Sequence, residues 1–540
     1  MRFRYDKNNE ELIVSASTRI EYHQLGLWLT RFVKGHKFLP AVKMGVWDGK
    51  INYFRDGKIN IGLWKECYRA CREIGASFII DNKEDFPINR DVTIESVRDF
   101  CKEYFSNHKI KDKEGNWIDF NPYDHQIESV FKILKNRYCI GEIATSGGKS
   151  LILSIIIFYI LKNINPAAKI LIIVPSITLV TQLYDDIIEH NRGLNNIEDI
   201  RDRKLDILLN NSLYCDIRIE EIMSDAPRRH SGVQDPNVVI GTFQSLEKRD
   251  KEFFSQFYMV AVDEAHQSKA KTLISILEKT FKSAYYRFGV SGTFPSDDSC
   301  ESLTVQSVLG PKITEVSADE LKQKGIITPM DIKAIILNHN EIELNSRLKL
   351  IRKSGNGKES LIIEKKFIHQ SEKRQNLIKK IIETKCTSNT LILFHTIEYG
   401  KLLFEKYSKE FPDRKVYYID GDVNNKVRNS IKSELEVAEN AILIASFGTL
   451  STGVSIKNLH HLIFADSFKS QQIIIQSIGR ILRLFEGKTI ANIYDIVDVF
   501  DPEKMDNILY NHFKERNKFY IERKYPCKEI KINLGNYILV

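Results

Sequence analysis

Short runs of branched apolar residues recur along this chain, separated by stretches in which apolar positions return with helical spacing. In the first half the runs are Ile170-Leu-Ile-Ile-Val174, Asn237-Val-Val-Ile240, Met259-Val-Ala-Val262 and Tyr286-Arg-Phe-Gly-Val290. Runs this short, apolar on both faces, are expected of buried parallel strands, and the intervening helical spacing of crossovers, so a doubly wound α/β sheet is predicted. A second series follows in Thr390-Leu-Ile-Leu-Phe394, Lys415-Val-Tyr-Tyr-Ile419, Ala441-Ile-Leu-Ile-Ala445, His461-Leu-Ile-Phe464 and Ile490-Ala-Asn-Ile-Tyr494. Two parallel-sheet lobes in tandem are therefore expected, over residues 111–320 and 321–500. Between the series, residues 339–372 are polar and contain Lys353-Ser-Gly-Asn-Gly-Lys358, which predicts a mobile insertion.

Residues 1–110 have a different texture. Leu12-Ile-Val14 predicts a strand, and Leu25, Leu27, Trp28, Leu29 and Phe32 an amphipathic helix over Tyr22 to Phe32. Two Asp-Gly turns, in Val46-Trp-Asp-Gly-Lys-Ile-Asn-Tyr-Phe54 and Arg55-Asp-Gly-Lys-Ile-Asn-Ile61, each precede an alternating strand, so a small hairpin-containing α/β module is expected. Its Lys34, Lys37, Lys43, Lys50, Arg55 and Lys58 are interleaved with Phe38, Trp47, Tyr53 and Phe54, a pattern that suits nucleic-acid contact or a solvated face over an aromatic core. Lys109-Ile-Lys-Asp-Lys-Glu-Gly-Asn116 makes a polar connector. The basic-aromatic residues 501–540 form an expected carboxy-terminal extension.

With 43% hydrophobic and 28% charged residues in 540, the composition suits globular domains with ample core. The apolar run Leu151 to Leu161 is half a membrane span and contains Ser154, and Met1-Arg-Phe-Arg-Tyr-Asp lacks an apolar secretory region. A cytoplasmic protein without a membrane partner is expected, in the host cytoplasm if a phage encodes it. The eight cysteines are scattered, with only Cys67 and Cys71 close, which predicts free buried thiols rather than a zinc site. A net charge of +8 permits an anionic polymer as partner without requiring one.

Three stretches carry chemistry. Glu142-Ile-Ala-Thr-Ser-Gly-Gly-Lys-Ser150 has the form of a phosphate-binding turn between strand and helix. Gly147 and Gly148 let backbone N–H groups approach phosphate oxygens, Lys149 adds a point charge, and the Ser150 hydroxyl can sit on Mg²⁺. The full pattern wants Gly where Ile143 stands, so a glycine turn opening a core helix stays open as a reading. Met259-Val-Ala-Val-Asp263-Glu264-Ala265-His266 ends an apolar strand in two acids. Asp263 can hold Mg²⁺ and Glu264 can activate water, or both can cap a following helix. In Gln476-Ser-Ile-Gly-Arg480-Ile-Leu-Arg483, the spacing of the arginines puts both on one side of a helix. Such a pair can neutralise charge on a transferring γ-phosphoryl group, or form an exposed basic face.

Taken in order, these stretches resemble the motifs of superfamily 2 helicases, over residues of about 120 to 485. Tyr123 and Gln126 look like the adenine-reading segment, and Ala144 to Ser150, including Thr145 and Ser146, like motif I. Pro175-Ser176 with Leu179 and Gln182 resembles motif Ia, and Gly241-Thr242-Phe-Gln-Ser245 motif Ib. Asp263-Glu-Ala-His266 is motif II in its DEAH spelling, and Ser291-Gly-Thr293 resembles motif III. Leu391 to Thr396 resembles motif IV, Ala445 to Val454 motif V, and Gln476 to Arg483 motif VI. Within the superfamily the chain is most similar to the recombination and fork-remodelling helicases of T-even phages. That likeness rests on Gly45-Val-Trp-Asp-Gly-Lys-Ile51, Thr145 to Ser150, Ser451-Thr-Gly-Val-Ser-Ile-Lys-Asn-Leu-His-His461 and Lys469-Ser-Gln-Gln-Ile-Ile-Ile-Gln476.

The resemblance implies two RecA-like lobes, a small amino-terminal α/β domain that binds nucleic acid, and ATP with Mg²⁺ as cofactors. It implies that Tyr123, Gln126, Thr145, Ser146, Gly147, Gly148, Lys149, Ser150 and Gly453 bind nucleotide, with Ser150 and Asp263 on the metal. Glu264, Lys149, Arg480, Arg483 and Gln476 are then catalytic, and His266, Ser291 and Thr293 couple hydrolysis to movement. Ser176, Thr242, Thr396, Thr452, Lys37, Lys50 and Lys58 are the implied nucleic-acid contacts. The implied partner is forked or branched DNA bound without regard to sequence, with RNA–DNA hybrids and single-strand-binding or recombination proteins as further partners. An RNA helicase, the translocase of a restriction system, and a non-catalytic clamp on the same fold are the competing readings.

Overall fold

The computed structural model describes residues 1–111, 117–192, 215–223, 234–265, 270–280, 283–295, 297–451 and 456–534. The chain divides into two compact units, Met1–Val316 and Ser317–Val540. In the first, the expected apolar runs are the core of a sheet of seven described strands, all parallel. Their spatial order is Ile219–Ile222, Val238–Thr242, Ile170–Val174, Met259–Asp263, Tyr286–Ser291, Tyr138–Ile143 and Lys312–Val316. Ile170–Val174, Val238–Thr242 and Tyr138–Ile143 are buried at every position, as strands covered on both faces by helices must be. Register decides what meets at the carboxyl edge. Asp263 pairs with Val290, and Ser291 pairs with Glu142, so three motif-bearing strands end side by side.

Residues 1–111 belong to the same unit. Arg2–Asp6, Glu11–Ala16, Lys58–Asn60 and Ile79–Ile80 form a four-stranded sheet against the helix Trp64–Glu73. At the second Asp-Gly turn Asp56 and Gly57 both have positive φ, 51° and 75°, and Arg55 and Lys58 exchange two backbone hydrogen bonds, a two-residue hairpin. The expected helix over Tyr22 to Phe32 is shorter. It spans Arg19–Trp28 behind a Thr18–Glu21 capping box, and Thr30–Phe32 turns into a strand paired with Lys50–Asn52.

This block is locked to the large sheet by a buried ion pair. Arg287 Nη2 lies 2.7 Å from Glu10 Oε2, both side chains almost fully buried. The guanidinium also donates to the Val308 carbonyl, and the Tyr138 hydroxyl donates to Glu10 Oε1. Nearby, Gly62 sits so close to the chain at Gln306 that a Cβ would come within 2.1 Å of its carbonyl oxygen.

The second unit repeats the design, with described strands in the order Val416–Ile419, Ile442–Ser446, Thr390–Phe394, His461–Phe464, Ala491–Val499, Met330–Asn338 and Cys527–Asn533, all parallel. Two expectations are corrected here. Within the expected extension 501–540, the described residues 501–534 are part of the lobe: the helix Ile508–Glu522 packs on the sheet and Cys527–Asn533 is an edge strand among the described strands. Residues 339–372 are not a loose insertion but the helices Ile342–Lys353 and Gly357–Gln370. The reason is a buried seam of Leu348, Ile368, Phe500 and Leu509, together with Glu364. That carboxylate accepts from the Ile508 and Leu509 N–H groups at the amino end of the last helix and from Arg352, 3.0 Å away. Arg374, fully buried, holds the interior with a bidentate contact to Asp498. All eight cysteines are free, and seven are buried.

Candidate functional site

The strand Tyr138–Ile143 runs into the turn 144–148 and then the helix Lys149–Tyr159, whose first turn begins at the lysine. Ile143, where the full motif has glycine, is the buried last residue of the strand, paired with Val316. The bend comes later. Ser146 and Gly148 have φ of 69° and 82°, the left-handed geometry that turns successive N–H groups inward and forms an anion-binding nest at a helix amino terminus. At Gly148 the conformation and the space both require glycine, since a Cβ would meet Gln126 Nε2 at 2.1 Å.

That contact shows what braces the loop. Gln126 Nε2 donates to the Gly147 carbonyl, and His125 Nε2 reaches the same oxygen at 2.9 Å. Gln126 Oε1 accepts from the Tyr123 N–H, and the half-exposed Tyr123 ring stacks on His125 with centroids 5.7 Å apart. The two residues assigned to the adenine segment therefore sit at the turn. His125 was missed, its only signal being its place between them.

Across the sheet edge, Lys149 Nζ is 3.3 Å from Glu264 Oε1, and Ser291 Oγ donates to Glu264 Oε2 at 3.1 Å. Motifs I, II and III are thus joined through one carboxylate. Glu264 has φ of 50° and its N–H donates to Asp263 Oδ1, so the two acids leave the strand in divergent directions. Gly292 lets this junction close: a Cβ there would lie 3.2 Å from Thr145 Oγ1 and 3.4 Å from Lys149 Nζ. Thr293 donates its N–H to Ser291 Oγ. His266, the fourth motif II residue, lies outside the described residues.

Burial, and next the neighbouring Glu264 carboxylate, push the Asp263 carboxyl up to about 7, against a smaller opposing pull from Lys149. A buried carboxylate raised in this way gains most from a divalent cation. Asp263 and the Ser150 hydroxyl are hard oxygen donors of the type that hold Mg²⁺ together with water and phosphate oxygens, so the residues present fit that ion.

In the second unit the helix Gln471–Ile481 carries Gln476 and Arg480 behind a Ser470 cap. It ends before Arg483, so helical spacing does not align the two arginines as the sequence suggested. The segment 481–483 is instead clamped. Thr328 donates its N–H to the Leu482 carbonyl and its hydroxyl to the Arg483 carbonyl, while Lys488 Nζ donates to the Ile481 and Arg483 carbonyls. Lys488 is buried, which with Arg483 nearby lowers its ammonium to about 7.

The implied nucleic-acid contacts divide. Ser176 caps the helix Ile177–Arg192 by accepting from the Leu179 N–H. Thr242 is 2% exposed and its hydroxyl is taken up by Ser245, so the exposed side chain on that turn is Gln244. The Thr396 and His395 N–H groups donate to Asp466, a carboxylate fully buried at the end of the neighbouring strand. Lys37 and Lys50 are exposed, and Lys58, also exposed, lies 3.5 Å from Glu11. Thr452 and Gly453 lie outside the described residues.

Comparison with known proteins agrees with this geometry. The DEAD/DEAH box helicase model matches residues 123–301, and the helicase conserved C-terminal domain matches 372–485. The ATP-dependent DNA helicase uvsW of Enterobacteria phage T4 is 30% identical over 526 residues, 95% of this chain and 96% of that protein. The chain belongs to the DEAD/DEAH-box helicases. Like other members of superfamily 2 it is an ATP-dependent helicase built on two RecA-like lobes. The crystal structure of T4 UvsW is 27% identical with a TM-score of 0.47, covering 99% of both chains. The type ISP restriction-modification enzyme LlaBIII, bound to DNA, shares the fold at 15% identity and a TM-score of 0.53, over 88% of this chain and 36% of that one. Among the described residues no helix is long and apolar enough to cross a membrane.

Proposed function

We propose that this helicase translocates on DNA and unwinds and branch-migrates forks, four-way junctions, D-loops and R-loops in recombination, repair and replication restart, in the cytoplasm of the cell that makes it. The observation that carries the reading is the extent of the likeness. Similarity to a DNA helicase spans 95% of the chain and so reaches into residues 1–111, and that block is locked to the ATP-site sheet through Glu10 and Arg287.

In this reading the nest at residues 144–148 and Lys149 hold the ATP phosphates, and Tyr123 and Gln126 hold the adenine. Asp263 and Ser150 hold Mg²⁺, which when bound offsets the negative charge of the phosphates. Glu264 orients the attacking water and accepts its proton, giving up its contact with Lys149 as the lysine turns to phosphate. Arg480 and Arg483 take the role of neutralising the charge that develops in transfer, and Gln476 that of orienting the phosphoryl group. Ser291 senses the state of Glu264 through their hydrogen bond and, with Thr293 and His266, passes it to the strand-binding residues Ser176, Gln244, Thr396 and Thr452. Contact there is to phosphates and independent of sequence.

Steady-state ATP turnover with a four-way junction, a blunt duplex and a single-stranded RNA tests the proposal. Turnover should be fastest on the junction. Equal rates on all three would end the branched-DNA reading.

A further inference from the structure

Residues 33–49 form a projection that no hydrophobic core explains. It is closed at its base by the ladder between Thr30–Phe32 and Lys50–Asn52 and by the Val33 N–H donating to the Gly49 carbonyl. Inside it, two short helical turns, His36–Phe38 and Pro40–Lys43, are tied by backbone hydrogen bonds, including those from the Val46 and Trp47 N–H groups to the Ala41 carbonyl. The Trp47 indole N–H donates to the Lys50 carbonyl. Gly49 packs against His36 so closely that a Cβ would lie 2.7 Å from the histidine Cβ. The backbone is thus shaped, yet none of residues 33–48 is buried. Its apolar tips face solvent instead: Phe38 at 78%, Met44 at 70% and Val46 at 78% exposure. Around them stand Lys34, Lys37, Lys43 and Lys50 against the single acid Asp48, all five exposed.

A shaped loop that spends its large apolar side chains on solvent, within a ring of cations, matches a partner with flat apolar faces inside an anionic backbone. We infer that Phe38, Met44 and Val46 insert among nucleobases at the branch point of DNA, while the surrounding lysines hold the flanking phosphates. Apolar wedges unstack a base step at an energetic cost that is lowest where pairing is already interrupted, so the wedge favours a branch over continuous duplex. The inference rests on the branched-DNA reading and assigns the recognition of the branch to this loop.

The test uses the full chain and a fork with 2-aminopurine at the branch or in mid-duplex. Wild type should raise fluorescence at the branch only. The triple variant Phe38→Ser, Met44→Ser, Val46→Ser, at positions too exposed to affect folding, should lose that rise and bind the fork about tenfold more weakly. Its dependence of affinity on salt should be unchanged, because the phosphate contacts remain. The variant Lys34→Gln, Lys37→Gln, Lys43→Gln should instead flatten the salt dependence. An unchanged fluorescence rise and affinity in the serine variant would overturn the wedge and leave the branched-DNA reading standing. Equal wild-type affinity for fork and duplex would overturn that reading itself. Binding of anionic vesicles that the serine variant abolishes, with fork binding intact, would assign the tips to a lipid surface and overturn the inference.

Discussion

Replacing Asp263 by Asn removes a carboxylate that the folded protein holds at a disadvantage, so the variant should be inactive and yet more stable without nucleotide and metal. Its carboxyl is raised from 3.8 to about 7 by burial and by Glu264. Between those values the folded chain binds more protons at this position than the unfolded chain, so stability falls as pH rises from about 4 to 7. A shift of roughly 3 pH units corresponds to about 4 kcal/mol as a ceiling. Water at the partly open carboxylate reduces this to about 2 kcal/mol. Asn keeps the acceptor for the Glu264 N–H and carries no charge. Near pH 4 wild type and Asp263→Asn should melt close together, and at pH 8 the variant should melt roughly 2–5 °C higher in metal-free buffer. Addition of Mg²⁺ and nucleotide should raise wild type and leave the variant nearly unmoved. An offset between the two proteins that stays constant from pH 4 to 8 would refute the reasoning.

Further outcomes follow from the packing. Arg287→Met removes the guanidinium that faces the buried Glu10 carboxylate and should cost about 3–5 kcal/mol, seen as early loss of protection in residues 1–80 by hydrogen exchange; adding Glu10→Gln should recover part of it. Lys488→Met removes one donor from each of the carbonyls of Ile481 and Arg483 and should lower kcat about tenfold with little change in KM for ATP, whereas Lys488→Arg should retain most activity. Glu364→Gln removes the charged cap on the last helix and should destabilise the second unit by about 1–2 kcal/mol in thermal unfolding.

The central strands and the ATP motifs were legible because both are written locally. Ile170–Val174 or Ile442–Ser446 must be apolar on both faces, and the turn at Gly147 and Gly148 must be small. The edge strand Cys527–Asn533 escaped because one of its long sides meets no other strand among the described residues and its lysines reach water, so the run Lys-Glu-Ile-Lys-Ile reads as surface. The helices at 342–370 were hidden for a related reason. They bury few apolar side chains and depend on Glu364, whose partners lie about 144 residues away in sequence. Glu10 and Arg287 are 277 apart and look like ordinary surface charges until the fold joins them. His125 and Lys488 likewise reach backbone carbonyls, which no side-chain pattern reveals.

Nucleic-acid-stimulated ATP turnover of Glu264→Gln tests the central claim most directly. Wild type should hydrolyse ATP faster when branched DNA is added. The variant keeps shape and hydrogen bonding but loses the proton acceptor, so stimulated turnover should fall by roughly 100-fold or more while nucleotide still binds. Turnover that survives in Glu264→Gln, or wild-type turnover indifferent to DNA, would contradict the account.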